Sequence, residues 1–86
     1  MKYSKQAWLN IKGSPSTGAV VAYHGPSPWS EDTDKTFLEV SDCHYKVRLH
    51  KTDVESMRNF IRKLRKLAKI AEDFATWLEL RERDNL

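Results

Sequence analysis

The residues able to carry chemistry are few and scattered: Cys43 beside His44, His50 six positions on, His24 further back, and the acids Glu31, Asp32 and Asp34 in one short stretch. A zinc site needs ligands paired at spacings such as Cys-x-x-Cys. Neighbours in an extended strand point to opposite faces, so Cys43 and His44 read as a turn cysteine beside a surface histidine. The pair also lacks the oxyanion donors and cleft that a Cys/His nucleophile requires. The three acids miss the spacing, the glycine and the terminal glutamate of a calcium loop, and read as a solvated segment. The loop Gly13-Ser14-Pro15-Ser16-Thr17-Gly18 has neither the lysine nor the following hydroxyl residue of a phosphate-binding loop. No catalytic, cofactor-binding or metal-ligating residue is assigned, and a non-enzymatic role without cofactors is expected.

Binding chemistry is better represented. Trp8, Lys12, Phe37, Lys46, Arg48 and His50 fall on one side of the expected strands and mix flat rings with cations. Rings stack bases while cations track phosphates, the chemistry of a single-strand nucleic-acid platform. Arg62, Lys63, Lys66 and Lys69 would extend its basic path; the plainer reading is that Trp8 and Phe37 pair across strands to stabilise an exposed sheet and that the helix cations are a solvated face. A separate candidate is Trp29, in Pro28-Trp29-Ser30, because tryptophan is favoured where proteins anchor to one another.

The elements that must position these groups follow from hydropathy. Residues 7–12 alternate as a half-buried strand with Leu9 and Ile11 on one face, and Ala19 to Tyr23 form a second strand. Trp29 to Lys35 reads as a loop, Thr36 to Val40 as a third strand and His44 to His50 as a fourth, joined by a turn at Ser41-Asp42-Cys43. Leu38, Val40, Tyr45, Val47 and Leu49 are the inward set. A helix is expected over 52–83, started by Thr52 with Glu55 as a capping box. The expected fold is α+β, a four-stranded antiparallel meander followed by one long amphipathic helix that covers a sheet face.

Within that helix Val54, Met57, Ile61, Leu64, Ala68, Ala71, Ala75 and Leu78 recur at heptad spacing, with Phe60, Leu67 and Phe74 in a second row and Ile70 and Trp77 in a third. At ~1.5 Å per residue it would be about 48 Å long, against a radius of gyration of about 12 Å for a compact chain of this size. A greasy rod of that length needs cover, and a second copy of the chain is the expected partner. Counting Val54 as heptad position a puts Arg58, Arg65, Glu72 and Glu79 at e, two cations then two acids. An antiparallel pair would set Arg58 by Glu79′ and Arg65 by Glu72′, and would bury Ile61, Leu64, Ala68, Ala71, Ala75 and Leu78.

With 86 residues, a net charge of +3 and one cysteine, the chain is expected to be one small domain over 1–86, lacking a bilayer-spanning run, soluble and cytoplasmic. The run Leu38-Glu39-Val40-Ser41-Asp42-Cys43-His44-Tyr45-Lys46-Val47-Arg48-Leu49-His50, followed at once by the long helix, resembles small accessory proteins encoded in early regions of temperate bacteriophages. That resemblance implies a protein that binds and redirects a larger host protein such as a nuclease or defence complex. The strands-then-helix layout is also similar to single-strand DNA-binding domains that dimerise through their helix. The expected function is thus a protein-binding modulator acting as a helix-mediated dimer, with single-stranded nucleic-acid binding as the alternative.

Overall fold

A computed structural model describes residues 2–10, 12–13, 18–27 and 30–84, with backbone alone at 30–32 and 84. Four strands, β1 (Tyr3–Trp8), β2 (Gly18–Ser27), β3 (Ser30–Asp42) and β4 (Tyr45–His50), form one antiparallel sheet in the order β1-β2-β3-β4, and one helix, α1 (Met57–Asp84), follows. The fold is the expected α+β meander and helix. The chain divides into two compact units, Met1–Thr52 and Asp53–Leu86. No helix among the described residues is long and apolar enough to cross a membrane.

In the first unit the register places Leu38 beside Ala22 and Leu49, and Val40 beside Val20 and Val47. These residues form the apolar side of the sheet, as the alternation of Leu38, Val40, Tyr45, Val47 and Leu49 anticipated. Tyr45 and Val47 nevertheless stay exposed, because β4 is an edge strand.

Strand boundaries differ from the sequence reading in all four strands. β1 begins at Tyr3 instead of residue 7, paired with β2 from Tyr3–His24 to Trp8–Ala19. Its residues are nearly all exposed, so backbone hydrogen bonds hold this edge strand and hydropathy does not mark it. Leu9 lies beyond its end, and Ile11 falls outside the described residues. β2 continues through Pro26, a residue without an amide donor that is tolerated where the register shifts between Pro26 and Ser27. Its extension needs a partner, and the acidic stretch expected to be a loop supplies it: Gly25 pairs with Lys35, Pro26 with Asp34 and Ser27 with Ser30. The tight turn between β3 and β4 is Cys43-His44, with Cys43 at φ 51°, in the left-handed region.

The helix starts five residues later than expected. Ser56, not Thr52, caps it: the Asn59 amide donates to Ser56 Oγ at 3.1 Å, and the Phe60 amide donates to the Ser56 carbonyl at 3.1 Å. Glu55 does not close a capping box on Thr52. Its carboxylate reaches forward to Lys63 Nζ at 2.9 Å. Asp53 and Val54 sit in a turn ahead of the helix, and Val54 is 97% exposed. Within α1, Phe60 is fully buried and Lys69 pairs with Asp73 one turn on, at 3.1 Å.

Candidate functional site

The sheet's second face is built from three cross-strand rows: Ser4–Tyr23–Phe37–His50, Gln6–Val21–Glu39–Arg48 and Trp8–Ala19–Ser41–Lys46. Side chains alternate along a strand, so residues two apart share a face. Five of the seven residues singled out for binding, Trp8, Phe37, Lys46, Arg48 and His50, therefore lie on one face. Of the other two, Trp29 lies outside the described residues and Lys12 sits in the turn after β1.

Phe37 does not pair with Trp8. Its cross-strand neighbour is Tyr23, whose ring stacks on it at 5.5 Å between centroids and 24° between planes. Trp8 stands at the other end of the face, opposite Ala19 and 72% exposed. The Arg48 guanidinium covers the Phe37 ring at 4.2 Å, and Lys2 Nζ lies 5.9 Å from the Tyr23 ring. The result is a row of cation, ring, ring, cation across β2, β3 and β4.

Glu39 fixes one end of that row. Arg48 Nε and Nη2 donate to Glu39 Oε2 at 2.9 and 2.7 Å, and Lys46 Nζ lies 3.5 Å from Oε1. The hydrogen bond from Arg48 holds the Glu39 carboxyl below its usual pKa, opposed by partial desolvation and helped by the charge of Lys46. Glu39 thus stays ionised at neutral pH and orients Arg48 over Phe37. At the other end, the Tyr23 hydroxyl donates to the Pro26 carbonyl at 2.8 Å and locks its ring.

An open cleft of about 630 Å³ lies along this row, lined by Lys2, Tyr23, Pro26, Lys35, Phe37 and Arg48 together with Ser27. Three of these are cations and none is an acid. Tyr23, Lys2 and Lys35 were not singled out from sequence. Tyr23 carried a usable signal, since it is in phase with Ala19 and Val21 along β2; Lys2 and Lys35 lie in segments whose strand character hydropathy does not reveal.

The helix presents a second surface. Met57, Ile61, Leu67, Ile70, Phe74, Trp77, Leu78 and Leu80 are 40 to 60% exposed, and Leu64 is half-buried. Ala68, Ala71 and Ala75, and the charged residues Arg58, Arg65, Glu72 and Glu79, are exposed as well. Because Val54 is not helical, the stripe is better centred on Met57, Phe60, Leu64, Leu67, Ala71, Phe74 and Leu78, which alternate by three and four throughout. On that centring Arg58, Arg65, Glu72 and Glu79 each sit one residue, about 100°, beyond the seam. They flank the row of the first count, whose members Met57, Ile61, Leu64, Ala68, Ala71, Ala75 and Leu78 also lie within α1.

Charge is distributed unevenly along α1. Six cations and no acid lie between Met57 and Lys69; five acids and two arginines lie between Ile70 and Asp84. The macrodipole acts on the terminal turns, where Arg58 opposes it and Arg81 and Arg83 favour it. No family model, curated protein or solved structure matches the chain.

Proposed function

We propose that the protein works by association rather than catalysis: α1 pairs with α1 of a second copy in antiparallel orientation, and the dimer modulates a larger protein. The observation that carries this reading is the row of large apolar side chains left exposed after Phe60. Soluble proteins rarely leave a contiguous stripe of that kind uncovered. The orientation follows from charge. An antiparallel partner sets the basic N-terminal half of one helix beside the acidic C-terminal half of the other. A register centred near residue 69 places Leu64 against Phe74′ and Leu67 against Ala71′, large beside small, in the a-to-d′ layers of an antiparallel pair. Exposed ion pairs contribute only about 0–1 kcal/mol each, so they select orientation while apolar burial supplies affinity.

Sedimentation equilibrium of the intact chain should give a dimer, and Leu67→Glu should give a folded monomer. Orientation is read by cross-linking in a Cys43→Ser background. Ile70→Cys, beside the two-fold axis, should form an inter-chain disulfide, whereas Met57→Cys should not. Efficient cross-linking at Met57 would mean a parallel pair, and a monomer at high micromolar concentration would end the dimer reading. The larger partner is sought by capture with wild type and Leu67→Glu from nuclease-treated lysate. A protein retained by the dimer and lost with the monomer is the expected result.

A further inference from the structure

We propose that the cleft over Tyr23 and Phe37 is a binding site for single-stranded nucleic acid, with a base against the Arg48 guanidinium that caps the ring pair and the adjoining phosphates at Lys2 and Lys35. The inference is independent of what covers α1, because every residue lining the cleft belongs to the first unit.

Two rings on adjacent central strands stack face to face in one cross-strand row, and the half-exposed Arg48 guanidinium closes the stack over Phe37. The plane left for a base is the outer side of that guanidinium. Single-stranded nucleic acid is recognised by stacking its unstacked bases on aromatic rings and on guanidinium planes. The stack is held in place from both ends: Tyr23 is tied to the Pro26 carbonyl at 2.8 Å, and Arg48 is clamped to Glu39 at 2.7 Å while lying over Phe37. Little ordering cost therefore falls on binding.

The cations of the cleft have different roles. Arg48 is partly neutralised by Glu39, so its contribution is a plane to stack on. Among the described residues, neither Lys2 nor Lys35 has an ion pair, which leaves them to meet an anion. Gly25 lies opposite Lys35, and a Cβ there would meet Lys2 Cγ and Tyr23 Oη, each at 3.1 Å. The bare backbone lets Lys2 and the Tyr23 hydroxyl close over the cleft floor, as glycine does where groups must approach the backbone closely. The volume of about 630 Å³ is within the usual range for a small-ligand site. A flat apolar lining with positive charge at its rim suits a ring bearing phosphate. Trp8, on the same face four residues along β2 from Tyr23, about 13 Å, offers a second ring to a strand several nucleotides long.

The test is fluorescence anisotropy of the full chain with a labelled oligothymidylate of eight nucleotides, titrated from 50 to 300 mM salt. Phe37→Leu keeps apolar volume and removes the ring; with an unchanged circular dichroism spectrum it should weaken binding about tenfold or more. The double variant Lys2→Ala/Lys35→Ala should reduce the slope of log affinity against log salt by roughly 1.4, two single-strand phosphate contacts. Lys66→Ala/Lys69→Ala on α1 should bind like wild type. Thymidine monophosphate and a polyglutamate peptide serve as competitors, and neither should displace the oligonucleotide at micromolar concentration. The proposal is overturned by absence of binding at 50 mM salt. It is equally overturned by binding lost with the α1 variant and kept by both cleft variants, or by displacement at matching affinity by the mononucleotide or the peptide. Those outcomes concern the sheet alone; the oligomeric state measured in sedimentation tests the helix reading separately.

Discussion

Two side chains of the hairpin between β3 and β4 show how much one residue decides. Cys43 holds φ at 51°, a conformation in which an L side chain crowds its own backbone and costs about 1–2 kcal/mol. Glycine relieves that strain but brings an entropy cost of its own in the unfolded chain, about 0.5–1 kcal/mol. Cys43→Gly should therefore stabilise the protein slightly, by up to about 1 kcal/mol, and Cys43→Val should destabilise it, read as urea midpoints at constant m-value. Glu39 gives a pH signature. Folding lowers the pKa of its carboxyl from the ordinary 4.5, chiefly through the hydrogen bond from Arg48. Below the ordinary value the unfolded chain therefore binds the proton more readily than the folded one, and the contribution of the ionised carboxylate disappears as pH falls towards the folded pKa. The stability difference between wild type and Glu39→Gln should be full near pH 7, shrink as the pH falls through about 4.5 and vanish in stronger acid. A difference independent of pH would mean that Glu39 acts through packing alone.

At the scale of elements, the start of α1 separates what a sequence pattern can say from what it cannot. Thr52-Asp53-Val54-Glu55 satisfies the capping-box pattern, whereas Ser56, with Asn59 three residues on, offers only an ordinary serine cap. The choice depends on where Glu55 finds its partner, and Lys63 at 2.9 Å takes it. Ser56→Ala should cost about 1 kcal/mol, the usual value of a lost N-cap, whereas Thr52→Ala should change stability by less than about 0.5 kcal/mol. Circular dichroism during urea unfolding distinguishes them, and the opposite order would restore the earlier start. The same limit explains the strands. Leu38, Val40, Val47 and Leu49 alternate because one side of the sheet is apolar, so the fourth strand and the second half of the third were legible to within two residues. Tyr3 to Gln6 and Ser30 to Lys35 carry no such alternation. They are strands because β2 extends far enough to pair with both, through a hairpin at Ser27–Ser30 and, for Tyr3 to Gln6, across a separation that no local window contains. The candidate face was legible as a set, since period two puts Phe37, Lys46, Arg48 and His50 together. The cleft was not, because register decides that Tyr23 and not Trp8 stands beside Phe37.

For the whole molecule the consequence of these parts is a linkage between folding and association. The first unit is one sheet with exposed valines and tyrosines, and the second is one helix with an exposed apolar stripe. Sheets and helices gain stability by burying such faces, and a chain this small has little area to spare. If α1 is covered by a second copy, unfolding releases two chains and the midpoint must depend on concentration. A hundredfold increase in protein then stabilises the folded dimer by about 2.7 kcal/mol. Spread over the unfolding entropy of two chains, that raises Tm by roughly 5–10 °C. Leu67→Glu should remove the dependence together with the dimer. Raised salt should weaken association of the wild type, because the basic half of one helix and the acidic half of the other attract less across a shortened screening length. Reversing both Arg65→Glu and Glu72→Arg in the same chain preserves its net charge and tests a specific pair: if Arg65 meets Glu72′ the doubly reversed chain should associate like wild type, and each single reversal should associate more weakly. A melting midpoint constant over the hundredfold range, for wild type and Leu67→Glu alike, would show that the apolar stripe of α1 is not where two copies meet.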